Sequence, residues 1–399
     1  MSNETVLVIG GGNNQLQLIN EAKARGLRVV VTDMFLNPPA KKVADEFFQI
    51  DTTNRTGTLE IAQLTNAGAV ITDQSDVAVP TAAYVAECLG LPGIGFETSL
   101  KFTNKHVMRT ALQQTDPDLL PKSVFFDESS ELLRFIEGSQ MSPTDFLIKP
   151  INSQGSKGVA RLKTRTDDQA VLTAFREARG QGVLLEQFIA GDEFSVEAFV
   201  MDGEVTNLAV TRKFHFPQND CIDFRNTYLG DVSLTLQQRL YDANSRVISS
   251  LGLVTGSTHA EFKVDGGDIY LMEIAARGGG GNISGKIIPY LTGFSPTAAL
   301  LDFALGQTPQ VKATDYRKRF ALLRFFDFKP GTVSRVANRV EHHSGLLHFE
   351  LNLEPGNQVR SVLSSRDRVG YFIVADEERH KALEFEQLVL DSVSIEYSM

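Results

Sequence analysis

The sequence predicts a chain that begins as α/β, continues as α+β and ends mostly in strands. Three observations carry that expectation. The first hundred residues alternate apolar strand runs with helical spacing, the pattern of a parallel sheet wound on both faces by helices. From Ser123 the pattern shifts to short strands with a helix between them. Beyond residue 308, strand-like runs broken by Pro330-Gly331 and Pro355-Gly356 dominate. The boundaries expected are 1–100 for a Rossmann-like domain, 101–308 for a central α+β domain in two parts (123–187 and 188–308), and 309–399 for a C-terminal domain.

Val6 to Ile9 reads as a buried strand, Gln15 to Arg25 as a helix, Arg28 to Thr32 as a second strand and Ala69 to Thr72 as a later one. Leu91-Pro-Gly-Ile-Gly95 closes this unit, and Ser99 to Gln114 has helical spacing with several basic residues. Strands follow at Phe146 to Lys149, Gly158 to Leu162, Val183 to Gln187 and Glu193 to Met201, with a helix at Asp167 to Arg179. Pro296 to Leu305 reads as a helix of small and apolar residues, Gly306 to Arg319 as a polar connection, and Glu377 to Leu388 as the closing helix.

With 399 residues, 42% of them hydrophobic and 22% charged, the chain has enough apolar side chains for the cores of two to four domains. No run approaches the ~18 apolar residues that span a bilayer. The opening residues lack the basic segment of a secretory leader, so a cytoplasmic location is expected. Cys88 and Cys221 fit no metal-binding or redox spacing and read as packed residues. A net charge of −10 argues against nucleic-acid or anionic-membrane partners, which need a basic footprint. Any phosphate bound here must meet a local cluster of cations.

The richest segment is 259–282, where Glu261 and Glu273 flank an Asp265-Gly-Gly-Asp268 turn. Pairing Ala260 with Ile274, Phe262 with Met272 and Val264 with Tyr270 keeps one face of the hairpin apolar. The same register sets Glu261 opposite Glu273 and requires a bulge or odd-numbered loop at the turn. Like charges facing across a ladder are unfavourable, so a cation held between them is the natural account.

Gly10-Gly-Gly12 between strand and helix, with Asp33 ending the next strand, partly matches a dinucleotide fingerprint, although Gln15 fills the third small position. Both a nicotinamide or flavin oxidoreductase and a plain tight turn fit that pattern. Asn152-Ser-Gln-Gly-Ser-Lys-Gly158 follows the strand Phe146-Leu-Ile-Lys-Pro150. Backbone N–H groups at Gly155 and Ser156, with Lys157, suit phosphate oxygens; an ordinary connection is the alternative. The order of residues is not that of a Walker A loop. Lys149 lies inside an apolar strand and needs an anion, unless it points to water from a sheet edge, whereas Lys105 by itself reads as a surface residue. In Leu184-Leu-Glu-Gln-Phe-Ile-Ala-Gly-Asp-Glu193, free backbone groups at Gln187, Phe188 and Ile189 suit an adenine edge, with Glu186 and Glu193 accepting from the amine and ribose; solvated carboxylates at strand ends are the plainer alternative. Arg277 opens a four-glycine run, where a guanidinium suits a transferring phosphoryl group or an oxyanion, a structural arginine in a turn being the alternative. Arg212 to Phe216 and Arg225 are either carboxylate-binding or an exposed basic loop.

In their order along nearly the whole chain, these segments resemble the ATP-grasp superfamily. The resemblance implies an ATP-grasp fold with a Rossmann-like domain before it, a swinging lid at 123–187 and a metal-holding, catalytic part at 188–308. It implies that Lys105 and Lys149 hold the α- and β-phosphates of ATP, that the 152–158 loop with Lys157 closes over the γ-phosphate, and that Glu186 to Ile189 with Glu193 seat adenosine. Glu261 and Glu273 would bind magnesium, with manganese as an alternative. Many members carry asparagine two residues after the second glutamate; Ala275 stands there, leaving Asn282 or water as substitutes and the number of ions open. The Glu273-Ile-Ala-Ala-Arg277 run, its glycines and a C-terminal domain similar to that of biotin carboxylase point to the L-amino-acid ligases and related carboxylate–amine ligases. Such an enzyme forms an acyl phosphate and then an amide from a small carboxylate and an amine, with Arg277 and Lys157 as catalytic groups, and a homodimer is one assembly the family offers. Two alternatives stay open: a ligase of nucleotide-precursor or sugar-linked carboxylates, and a nucleotide-binding sensor without turnover.

Overall fold

The β-branched runs near the N-terminus form a parallel sheet because both of its faces are covered. In a computed structural model, which describes residues 4–165, 167–311 and 319–398, the strands lie in the order Glu46–Gln49, Arg28–Asp33, Thr5–Ile9, Ala67–Ile71. Val6, Val8, Val29 and Val31 pack on one side with Leu18 and Ile19, and Leu7, Ile9, Val30 and Val70 on the other with Val85 and Ala86. Leu301 and Ala304 of the late helix Pro296–Ala304 join the first of these cores, tying distant sequence to the N-terminal sheet.

A second, antiparallel sheet runs Ser123–Phe126, Val183–Gln187, Phe146–Pro150, Ala160–Arg161. The helices Ser129–Gly138 and Asp168–Ala178 seal one face through Leu132, Ile136, Val171 and Ala174. The largest sheet has eight strands among the described residues, in the order Asp268–Ala275, Gly256–Asp265, Asp192–Met201, Glu204–Phe216, Asn219–Tyr228, Phe320–Phe325, Gly370–Asp376, Leu346–Leu351. Thr227 pairs with Leu322, so the C-terminal segment continues the central sheet. The helix Leu234–Leu251, capped by Ser233 and ended by Gly252 at φ +79°, buries Leu240, Val247 and Ile248 against Val196 and Phe262.

Two expectations need correction. The basic stretch from Ser99 is two helices, Phe96–Lys101 and Lys105–Leu112, because the Asn104 side chain accepts from the N–H groups of His106 and Val107 and starts a new helix. The chain does not close on a helix: Arg379–Asp391 is followed by the strand Val393–Tyr397, paired with Gly331–Asn338. Its Val-Ser-Ile-Glu-Tyr alternation turns Val393, Ile395 and Tyr397 inward. Of the Gly306-to-Arg319 connection, residues 312–318 lie outside the described residues. No helix among the described residues is long and apolar enough to cross a membrane.

Candidate active site

The hairpin Gly256–Asp265 and Asp268–Ala275 pairs Ala260 with Ile274 and Glu261 with Glu273, as expected. Beyond the glutamates the register shifts: Phe262 faces Leu271 and Val264 faces Ile269, in place of Met272 and Tyr270. The bulge therefore lies beside the facing carboxylates, not at the turn. The shift gives fully buried Phe262 an equally buried partner in Leu271. It also aims the Met272 carbonyl at two cations, accepting from Arg109 Nη2 at 2.8 Å and Lys149 Nζ at 3.2 Å.

Every site residue expected from the sequence except Glu186 lines one cavity of about 610 Å³, walled by all three large sheets. Glu186 lies behind the wall, 1% exposed, where it accepts from Arg109 Nε at 2.9 Å and Lys149 Nζ at 2.5 Å. Its carboxylate is thus unavailable to an adenine amine, because a carboxylate sealed from water takes up cations on both oxygens. Burial alone would raise this carboxyl, yet the Arg109 and Lys149 charges hold it below its ordinary value. Burial pushes Lys149 down to about 8 against the pull of Glu186. Arg109 was legible only as the partner four residues from Lys105 on one helix face.

Lys105 is no surface residue. It opens its helix 3% exposed, donates to the Ser153 carbonyl at 2.8 Å and pairs with Glu273 Oε2 at 3.0 Å. Glu261 pairs with Lys213, from the Arg212-to-Phe216 segment, and stands 3.3 Å from His259 Nε2. Burial opposes ionisation of Glu261, but Lys213 and His259 hold its carboxyl well below the ordinary range. Lys213 also reaches Glu193 Oε1 at 3.2 Å, whose other oxygen meets His215 Nε2 at 3.1 Å. Burial disfavours the charged His259 ring, yet Glu197 against Nδ1 raises it to about 9. The like charges in the ladder are therefore offset by one lysine each, Lys213 for Glu261 and Lys105 for Glu273.

A divalent ion fits this pair in one manner. Among the described residues no group of three His, Cys, Asp or Glu is placed to hold a metal. Two opposed carboxylates suit a hard cation that takes its remaining ligands from phosphate oxygens and water, as magnesium does. Asn282 does not line the cavity, although its Nδ2 donates at 2.6 Å to Tyr371 Oη, which does.

The glycine-rich loop is docked across the cavity. Gly155, at φ +66°, has its carbonyl bonded by Ser365 N and Oγ, both at 3.2 Å. Ser156 Oγ donates to the Cys221 carbonyl at 2.8 Å, and Gln154 Oε1 accepts from Asp76 N at 3.1 Å. Burial, then neighbouring Arg366, hold Lys157 below its ordinary value. In the 187–189 segment, Gln187 N and Phe188 N donate to the carbonyls of Lys122 and Asp145, and the Ile189 carbonyl accepts from Lys263 at 3.1 Å. Those three backbone groups are therefore not free, contrary to expectation, because the segment is anchored on both sides.

Asp76 grips Arg277 with both oxygens, receiving Nε at 2.5 Å and Nη2 at 3.0 Å. The glycines after Arg277 are tied down by buried acids: Gly278 N donates to Asp73 Oδ1 at 3.0 Å and Gly279 N to Glu197 Oε2 at 3.1 Å. At the N-terminal turn, Asp33 is buried and accepts from Gly11 N at 2.7 Å and Phe35 N at 2.8 Å, so both oxygens already serve the turn. That disfavours the dinucleotide alternative. Arg212 pairs with Asp192 and Arg225 with Glu386, both away from the cavity that Lys213 lines.

Residues 142–286 match the ATP-grasp domain family, and residues 324–398 match L-amino acid ligase C-terminal domain 2. Phosphoribosylamine–glycine ligase of Methanoregula boonei is 25% identical over 201 residues, 49% of this chain and 45% of that one. The chain spans about half the length of the first curated relatives it matches. In fold it superposes on L-amino acid ligase from Bacillus licheniformis with a TM-score of 0.80 at 21% identity, covering 100% of this chain and 99% of that one. The biotin carboxylase domain of Hydrogenobacter thermophilus 2-oxoglutarate carboxylase, solved with MgADP and bicarbonate, superposes with a TM-score of 0.74 at 17% identity over 98% and 90%. With buried lysines, opposed glutamates and a docked glycine-rich loop in one cavity, residues 142–286 form an ATP-grasp domain, and residues 324–398 form an L-amino acid ligase C-terminal domain.

Proposed function

We propose that the protein is an ADP-forming ligase that joins a small carboxylate to an amine through an acyl phosphate. The observation that carries this reading is the convergence of Lys105, Lys149, Lys157 and Arg277 on one cavity whose floor sets Glu261 against Glu273. A triphosphate needs such a cluster in a chain of net charge −10. Magnesium, or manganese in its place, would sit between the two glutamates and neutralise the phosphate oxygens.

Lys105 and Lys149 then hold the α- and β-phosphates, and the docked 152–158 loop with Lys157 covers the γ-phosphate and excludes water. A substrate carboxylate oxygen attacks the γ-phosphorus; the bond to the β–γ bridging oxygen breaks and ADP leaves. The amine nitrogen attacks the acyl carbon and loses a proton, and inorganic phosphate departs. Arg277, oriented by Asp76, faces the oxyanion of the tetrahedral intermediate. The nucleoside lies along Gln187, Phe188 and Ile189, with Glu193 near the ribose. Neither cysteine forms a disulfide, and Cys88 is exposed, not packed as the sequence suggested, while Cys221 is half-buried.

The similarity to phosphoribosylamine–glycine ligase favours a second substrate class, phosphoribosyl-linked amines. A matrix of carboxylates and amines, assayed for ADP and phosphate release, tests both. ADP release that requires a carboxylate is expected; its absence with every pair contradicts ligase activity.

A further inference from the structure

Glu197 stands outside the cavity, yet it reaches both halves of the chemistry set out above. It projects from the strand Asp192–Met201, is 2% exposed and does not line the cavity. In the ladder it pairs with His259, and its Oε1 meets His259 Nδ1. The other ring nitrogen, Nε2, stands 3.3 Å from Oε1 of Glu261. The second carboxylate oxygen, Oε2, accepts from Gly279 N at 3.1 Å, two residues beyond Arg277. One buried carboxylate therefore bridges the hairpin that sets Glu261 against Glu273 and the glycine run that follows Arg277.

The glycine run is shaped around this contact. A Cβ on Gly279 would come within 2.8 Å of Glu197 Oε1 and 3.0 Å of Ile283 Cβ. Gly279 keeps its φ outside the left-handed region, so close approach, not turn geometry, calls for glycine there. Gly278 N is anchored separately by Asp73, whose carboxylate also accepts from Gln74 N, Ser284 Oγ and Thr297 Oγ1. Asp73 thus holds the run against the N-terminal sheet, while Glu197 holds it against the central sheet beside Glu261.

We propose that Glu197 is a positioning residue that couples the two steps of the ligase reaction, keeping the acyl group formed beside Glu261 in line with Arg277. This rests on the ligase reading above and assigns the side chain that aligns its second step. In the coupled reaction each ADP released corresponds to one amide. When the run shifts away from Glu197, the acyl phosphate still forms, but Arg277 no longer meets the oxyanion of amine attack. Water then attacks the acyl carbon, inorganic phosphate leaves, and the original carboxylate and a proton are regenerated, so ATP is cleaved without an amide. A Glu197 that served only to balance the charge of His259 would slow both steps together.

The test measures ADP and amide together, in the full-length enzyme with ATP, magnesium and a carboxylate–amine pair that the wild type joins. Glu197→Gln keeps the shape and an acceptor oxygen but weakens the hold on His259 and Gly279 N. Gly279→Ala leaves the Glu197 charge in place and pushes the run away from it. In both variants, with the circular dichroism spectrum of the folded protein retained, amide formation is expected to fall by roughly 10²-fold. ADP release should fall far less, so that ADP released per amide rises by roughly tenfold. Hydroxylamine added to the variants should capture the acyl phosphate as a hydroxamate. Equal falls in ADP and amide in Glu197→Gln overturn the assignment, as does a raised ratio in Gly279→Ala beside an unchanged one in folded Glu197→Gln. Should Glu197→Gln not fold, an unchanged ratio in Gly279→Ala overturns it and a raised ratio supports it. An active wild type with unchanged ratios in the variants sinks Glu197 alone, whereas a wild type that forms no amide from any pair removes the ligase reading and this assignment with it.

Discussion

Arg109 Nε and Glu186 Oε1 are 2.9 Å apart, and the two side chains are 4% and 1% exposed. With Lys149 on the other oxygen, the three charges form a sealed strut behind the cavity wall, linking the helix that begins at Lys105 to the second sheet. Removing the central charge leaves two buried cations. Glu186→Gln is expected to cost roughly 3–5 kcal/mol of stability, read from urea unfolding. A loss under about 1 kcal/mol would show that the strut is not electrostatic.

Lys149 connects this strut to the cavity. Its ammonium is depressed to about 8 from an ordinary 10.5. Between those values the unfolded chain binds more protons than the folded one, so this group's contribution to stability rises with pH across that window. Below about 8 both states are protonated and the cost of burying the charge is fully present. Triphosphate binding favours the charged form, so binding just above pH 8 should take up protons. Calorimetry in two buffers of different ionisation enthalpy measures the uptake. Lys149→Arg, which stays charged, should abolish it, and uptake unchanged in that variant would assign the proton elsewhere.

Gly155 ties the glycine-rich loop to the C-terminal segment through Ser365. A Cβ added there would approach Ser365 Oγ to 2.2 Å, at φ +66°. Gly155→Ala should therefore lower kcat by displacing the loop. Adding Ser365→Ala removes the clashing oxygen and should restore part of the loss, leaving roughly 1–2 kcal/mol of left-handed backbone strain. Steady-state kinetics with no rescue in the double variant would show that the contact does not govern closure.

Arg277 is held by a planar fork on Asp76, which an ammonium cannot reproduce. Arg277→Lys should lower kcat by about 10²–10³ while leaving the KM for ATP nearly unchanged. A change confined to the KM for ATP would move Arg277 from the acyl centre to the nucleotide.

Much of this site was readable from local sequence. The facing glutamates followed from apolar alternation around a Gly-Gly turn, and Lys149 from its place in an apolar strand. The bulge beside Glu261 was not readable, because the choice between Met272 and Leu271 opposite Phe262 is made by the surrounding core and by cations from two other elements. Glu186 misled for a similar reason: its strand position suited a ligand, but its partners came from Arg109, 77 residues earlier, and Lys149. Asp76 is an ordinary charge in sequence and gains meaning only where several sheets meet. The closing strand Val393–Tyr397 did carry a period-two signal, which the strong preceding helix obscured.

The account rests on Glu261 and Glu273 holding a divalent ion against a triphosphate, and magnesium-dependent ADP release in Glu273→Gln tests that most directly. The expected outcome is a fall of at least about 10³-fold with the circular dichroism spectrum of the folded protein retained. Near-normal turnover of this variant at saturating magnesium would contradict the account.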